Sequence, residues 1–216
     1  MKAGEIVTKF RERMRDTTGD YLWSDTEAYY YLDDAQKQFC RETGGIADAT
    51  SALTTISVTT GDKWIPYDSR IMRIRTARRT VDNVSVPVIN NADVQKNLDL
   101  FIMAPGKPDL LAIGMDDNNL RLFPEADDDY DIELTLFRLP LTDLNGENDE
   151  LEIAPHHHIH LVYWMGYLAH LKKDAETFDE QKASDFRKLW ADYIIRCQVE
   201  HGNRHHKNRS VRYGGY

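Results

Sequence analysis

"WSDTEAYYYLDDAQKQF", residues 23–39, has the signature of a capped amphipathic helix and decides the first half of the fold. Ser24 and Glu27 form a capping box, in which the serine oxygen accepts a backbone N–H and the glutamate reaches back to the cap. Apolar residues recur behind this cap at helical spacing, and Gly44–Gly45 is typical of a helix end. The same period predicts an earlier helix over residues 3–15.

Between Leu53 and Arg138 the hydrophobic period changes to two, which predicts strands. "TTISVTTGDKWIPY" is interpreted as two strands around a Gly-Asp turn, and residues 71–88 as a second pair around Asp82–Asn83. "NNADVQKNL" predicts a short helix capped by asparagine. The stretch 109–137 is interpreted as a three-stranded meander.

Five arginines lie on or beside the strand that residues 71–79 predict. Alternation distributes them over both faces, so we expect a solvated or subunit-facing strand rather than a track for phosphates. The five are Arg70, Arg73, Arg75, Arg78 and Arg79.

After a polar run, the chain returns to helical patterns. Pro155 suits a first helical position, and the segment from there to Lys173 is apolar nearly all round, as in the central helix of a bundle. Thr177 and Glu180 predict a second capping box before a last helix, whose expected buried stripe includes Leu189. Gly202–Asn203 is expected to end that helix.

These patterns predict an α+β fold, in which N- and C-terminal helices form a small α-helical bundle around a central β-rich insertion. The bundle is assigned to residues 1–45 and 153–201, and the insertion to residues 52–140. Residues 202–216 have no apolar period and are expected to form a flexible, extended C-terminal tail.

Charge is unevenly distributed along the chain. Its 216 residues carry 36 acidic and 27 basic side chains, a net charge of −9, which argues against a general nucleic-acid binder. Residues 201–216 contain Arg204, Lys207, Arg209 and Arg212 but no acid. The tail, rather than the acidic body, is therefore expected to seek a partner. No apolar run reaches the roughly 18 residues of a membrane span.

Four histidines within residues 155–160 raise the possibility of a metal-dependent enzyme. His156 and His160 are four residues apart and could share one metal, but a catalytic zinc needs a third protein ligand and no acid lies among them. We favour a polar first turn at the rim of the bundle. The sequence also has no nucleophile elbow, P-loop or dinucleotide fingerprint, so we expect no catalytic residue, cofactor or resident metal.

The order of these elements resembles the head-to-tail adaptor, or connector, proteins of tailed bacteriophages. The stretch that begins at Trp23 is similar to the family's W-[ST]-D-x-E…L-x-x-A pattern. "GKPDLLAIGMDDNNLRLFPEADDDYDIELTLFRLP" is similar to its G-x-P…L-x-L-x-P…Y-x-[IL]-x-[LV] run. "IAPHHHIHLVYWMGYLA" is similar to its P-x-x-x-H-x-x-L motif, with His160 at the histidine position. The resemblance covers nearly the whole chain.

This resemblance implies a structural virion protein that forms a ring, of twelve copies in the virion, beneath the portal. It implies the portal protein, a tail or nozzle protein and further copies of itself as partners, with genomic DNA passing through the channel without specific binding and no membrane contact. The expected location is the head–tail interface of the virion, and the host cytoplasm during assembly. A DNA-packaging or DNA-binding factor stays as an alternative function, and the histidine metalloenzyme as a weaker one.

Two groups of residues are assigned to this role. In the resembled family the C-terminal segment docks onto the portal, so the tail is expected to bind there; its anchors are Arg204, Lys207, Arg209, Arg212, Tyr213 and Tyr216. Acids in two polar turns could face the channel, where like charge would keep phosphates from adhering; they are Asp127, Asp128, Asp129, Glu147 and Asp149.

Overall fold

The computed structural model describes residues 1–174 and 176–205. These residues form two compact units: Met1–Gly44 with the described residues from Thr142 onward, and Gly45–Leu141. The long helices belong to the first unit and both sheets to the second, which confirms the expected α+β class.

The first two helices are α1, Ala3–Met14, and α2, Asp25–Thr43. The capping box is present as predicted, with the Ser24 side chain accepting the Glu27 N–H and the Glu27 carboxylate accepting the Ser24 N–H. Gly44 ends α2 at φ 95°, a left-handed conformation that favours glycine. Residues at the two ends of α2 therefore determine where this helix begins and ends.

The remaining helices of this unit follow Pro155, which begins a 3-10 helix over Pro155–His160. It continues into α4, Leu161–Leu171, and α5 spans Glu180–His205. Three tryptophans stabilise the bundle, because each ring is buried and each indole N–H donates a hydrogen bond. The acceptors are Ala169 O for Trp23, Asp34 for Trp164 and Glu42 for Trp190.

Two expectations about α5 were wrong. Asp179, not Thr177, caps the helix, because its carboxylate accepts the Lys182 N–H at 3.0 Å. The hydroxyl of Thr177 instead donates to the carbonyl of Lys172. The helix also passes Gly202 and reaches His205, so residues 202–205 are helical and not part of an extended tail. A glycine inside a helix costs only about 1 kcal/mol relative to alanine, which does not by itself end the helix.

One sheet of the second unit is built around a central nine-residue strand, β9, Tyr130–Arg138. Along one edge β9 pairs antiparallel with β1, Ile46–Asp48, and β2, Thr55–Val58. Along the other edge it pairs with β4, Ile71–Arg79. The two-residue strand β5, Ser85–Val86, then pairs with the end of β4. This last hairpin confirms the predicted turn at Asp82–Asn83.

A four-stranded sheet completes the unit in the order β3-β8-β7-β6. Its strands are β3, Trp64–Pro66, β6, Val88–Asn90, β7, Leu110–Ile113, and β8, Asn119–Phe123. Only β6 and β7 run parallel among these pairs. The predicted asparagine cap is confirmed: Asn90 accepts the Asp93 N–H and starts α3, Asn91–Val94.

The expected meander was wrong. β7 and β8 do pair, but β9 belongs to the other sheet, where β1, β2 and β4 occupy both of its edges. The edge of β8 that the meander assigned to β9 is taken by β3. The two strands predicted around the Gly-Asp turn, β2 and β3, are confirmed, and they lie in different sheets. Alternation predicts strands, but it does not identify the partner of each strand.

Candidate interaction surfaces

The histidine segment is an internal packing element of the helical unit. His158 is only 3 % exposed, and its Nε2 donates to the Ile153 carbonyl at 2.8 Å. Nδ1 of the same ring lies 3.3 Å from the amino group of Met1. The solvated rim that we expected therefore does not describe His158, because the 3-10 geometry turns this ring inward.

Two further histidines belong to an aromatic cluster with α2 and α5. The His157 ring lies 4.6 Å from that of Phe39, and its Nδ1 is 2.7 Å from the hydroxyl oxygen of Tyr193. The His160 ring stacks on Tyr193 with the centroids 3.8 Å apart. His156 is the exposed member of the segment. The other three rings are at least half-buried, and the His156 ring lies 3.9 Å from that of His157.

Burial lowers the pKa of both His158 and His160, because desolvation disfavours their charged forms. For His158 the positive charge of the nearby Met1 amino group also lowers the pKa, whereas the hydrogen bonds with Ile153 and Met1 oppose the shift. Among the residues that the structure describes, no three histidine, cysteine, aspartate or glutamate side chains are grouped so that they could hold a metal ion. In this segment, His158 and His160 are therefore packed imidazoles that resist protonation.

The predicted portal-binding tail lies almost entirely beyond the described part of the chain. Arg204 is in the last turn of α5. Lys207, Arg209, Arg212, Tyr213 and Tyr216 fall outside the described residues.

The predicted channel acids are divided between the two units. Asp127, Asp128 and Asp129 are exposed in the loop that joins β8 to β9. Asp129 also shapes this loop: its carboxylate accepts the N–H of Thr60 at 2.7 Å and the Thr60 hydroxyl at 2.9 Å, and both bonds lower its pKa.

Glu147 and Asp149 lie in a polar turn of the helical unit that holds the start of α1. The Asp149 carboxylate accepts the N–H of Gly146 at 2.8 Å, and its carbonyl accepts the N–H of Ala3 at 2.9 Å. The carbonyl of Glu147 accepts the N–H of Gly4 at 3.0 Å, while its side chain is exposed. Asp149 therefore accepts hydrogen bonds that stabilise this turn, in addition to carrying a carboxylate.

The exposed apolar side chains are the surface feature that was predicted least well from the sequence. Leu189, expected in the buried stripe of α5, is 41 % exposed, and Ile195 and Val199 are both 59 % exposed. In the sheet unit, Ile102 is 82 % exposed. The spacing of Ile195 and Val199, four residues apart and off the stripe of Trp190, Ile194 and Cys197, was the available signal.

Comparison with known proteins agrees with the resemblance in the sequence. No described helix has the length and apolar composition to cross a membrane. No curated protein matches the chain. The model of the SU10 adaptor protein family matches residues 1–211, nearly its full length. The chain therefore belongs to the SU10 adaptor protein family, a family of phage head-to-tail adaptors.

Proposed function

We propose that this protein forms a ring that docks beneath the portal, connects the DNA-filled head to the tail and provides part of the DNA channel. Its match to the SU10 adaptor family along residues 1–211 carries this proposal. The role is structural and requires no catalysis. The packed histidines support that part, since three of them already serve as core or stacking groups.

Ring formation is supported by the apolar surface of α5. A ring uses two different patches on each subunit, so a lone subunit exposes side chains that a neighbour covers. Ile195 and Val199 lie one turn apart on α5, and more than half of each side chain is exposed. We propose that a neighbouring copy covers this face, in a ring of twelve copies in the virion.

Docking to the portal is assigned to the tail, residues 206–216, together with Arg204. Arginine and tyrosine are common anchors of protein interfaces. When a segment becomes ordered on binding, the free-energy cost of that ordering lowers its affinity. Each tail should therefore bind weakly, and the ring should hold through many tails acting together.

Passage of DNA is assigned to the exposed acids. Because the carboxylates of Asp128, Asp129 and Asp149 accept backbone N–H groups in turns, Asp127 and Glu147 are the side chains with most freedom to present charge to a channel. Their repulsion of phosphates would act over about 8–10 Å at physiological salt. Genomic DNA then passes without specific binding.

Truncation of the tail tests portal docking. Removal of residues 206–216 leaves the described extent of α5 intact and should give a folded protein that no longer remains on portal-bearing heads in a density gradient. A full-length control with Lys207→Gln, Arg209→Gln and Arg212→Gln separates charge from length and should bind with reduced, salt-sensitive affinity. Truncated protein that retains DNA in the heads as well as the full chain would refute docking through the tail.

A further inference from the structure

One edge of β4 is left open because its neighbour is interrupted. β5 pairs only with Ala77 and Arg78, and the next residue is Pro87, which has no N–H to continue the ladder. The chain then enters the other sheet as β6. Within the described ranges 1–174 and 176–205, no strand pairs with residues 72–76 on this side of β4. Five residues of strand span about 17 Å.

A groove of about 380 Å³ lies along this open edge. Its walls are residues 72–77 of β4 and residues 85–90, and Ile113 of β7 contributes as well. The partly buried side chains of Ile74 and Val88 give it an apolar part, and no lining residue is an aspartate or glutamate. In a chain with a net charge of −9, this is a locally basic, partly apolar groove.

Its two arginines differ from the others on the same strand. Arg78 pairs with Glu133, and Arg79 pairs with Asp82 and Asp109. Arg73 and Arg75 are exposed and have no carboxylate partner anywhere in the described part of the chain. Arg73 instead lies over the ring of Phe137, with its guanidinium carbon 4.6 Å from the centroid. The strand with the open edge thus carries two arginines that have no carboxylate partner among the described residues.

The charges also decide which strand the edge can accept. If two copies paired β4 against β4, their Arg73 and Arg75 side chains would meet like charges, which destabilises a cross-strand pair. The tail, residues 206–216, is basic too and is disfavoured here for the same reason. An extended segment with carboxylates on alternate positions satisfies both the backbone edge and the arginines.

We propose that the β4 edge is a docking site for an acidic, extended segment of a partner protein, which adds a strand beside residues 72–76. The backbone ladder supplies affinity, as in other cases of strand addition to an open sheet edge. Carboxylates on the added strand pair with Arg73 and Arg75, and its apolar residues face the groove. This site is distinct from the tail that we assign to the portal, so it goes beyond the adaptor role proposed above.

A peptide of alternating glutamate and valine, seven residues long and labelled with fluorescein, probes the edge by fluorescence anisotropy on the full chain. This peptide should bind. A peptide with lysine in place of glutamate should bind about tenfold more weakly, because its charge is reversed. A peptide of the same charge with proline in place of valine should also bind about tenfold more weakly, because proline has no N–H for the ladder. Arg73→Glu with Arg75→Glu should weaken binding of the acidic peptide by at least about tenfold, and Arg73→Gln with Arg75→Gln by less. Lys63→Glu with Lys107→Glu, an equal change of charge outside the groove, should have little effect.

Three results would overturn the proposal. Equal binding of the proline peptide would show simple charge attraction without an added strand. Binding of a duplex oligonucleotide that is lost in the Arg73→Gln, Arg75→Gln variant would identify a phosphate site instead. A fall in the oligomer mass measured by light scattering in that same variant would assign the edge to a second copy of this chain. Circular dichroism checks that each variant is folded.

Discussion

At the scale of single residues, two ion pairs on the β9 sheet differ in how far they are shielded from water. The side chains of Asp48 and Arg138 are 5 % and 10 % exposed, whereas those of Glu133 and Arg78 are 47 % and 50 % exposed. Burial by itself would raise the pKa of Asp48, but hydrogen bonds from Ser51, Thr50 and Arg138 lower it well below its ordinary 3.8. The buried pair should therefore contribute to stability where the exposed pair does not.

Asp48→Asn should lower the free energy of unfolding by about 3 kcal/mol at pH 7, because it removes a negative charge that the largely buried Arg138 guanidinium contacts. The matched variant Glu133→Gln should cost less than about 1 kcal/mol. A carboxylate with a lowered pKa stabilises the fold above its unfolded pKa, so the Asp48→Asn deficit should stay constant down to about pH 4.5 and shrink only below the ordinary value of 3.8. Urea unfolding measures this; equal losses in the two variants would contradict the assignment.

At the scale of elements, the sequence predicts helix ends where the cap chemistry is local, and fails where competing groups lie nearby. Ser24, Asn90 and Gly44 cap their elements as predicted. Thr177 does not, because Asp179 stands closer to the helix start and its carboxylate is the stronger acceptor. Strand positions were also predicted, but the pairing of β9 with three non-neighbouring strands depends on long-range contacts that no local pattern encodes.

For the histidine segment, the sequence alone could not distinguish a metal site from packed side chains. Spacing alone allowed a shared metal for His156 and His160, whereas the 3-10 helix directs His158 to a backbone carbonyl and stacks His160 on Tyr193. The partners come from α5 and from the chain before Pro155, so they cannot be read from the segment itself. Replacing His156, His157 and His158 together would therefore remove packing and would not test a metal site alone.

Stability should fall in mild acid because of this segment. A histidine whose folded pKa is lowered resists protonation, so the unfolded state binds more protons as pH falls below the ordinary 6.5. His158→Gln should cost about 1 kcal/mol at pH 7.5 through its buried hydrogen bond and should lose less stability than wild type between pH 7.5 and 5.5. His156→Gln, at an exposed position, is the control and should alter the pH profile less, since the charge of His156 is only the smallest of the causes that act on His158. A full wild-type pH dependence in His158→Gln would show that its imidazole is not responsible.

At the scale of the whole molecule, the change from a helical to a two-residue period and back is what made the α+β class predictable. Hydrophobic period is a local property that survives in any packing arrangement, so it predicts class better than topology. The family was predictable for a different reason. Individual motifs near Trp23, Gly106 and His160 are short, but their order along the chain matches a whole-length family pattern. The surface that we propose for ring contacts was harder to predict, since Ile195 and Val199 carry no motif beyond their spacing of four residues.

We propose that this protein is a structural ring subunit that joins a portal to a tail. Electron microscopy of the full chain mixed with the purified portal protein of the same phage tests it most directly. We expect a closed ring of this chain on one face of the portal, with one copy per portal subunit and a continuous axial channel. Portal particles that stay bare at physiological salt, while this protein remains separate from them on a sizing column, would contradict the account.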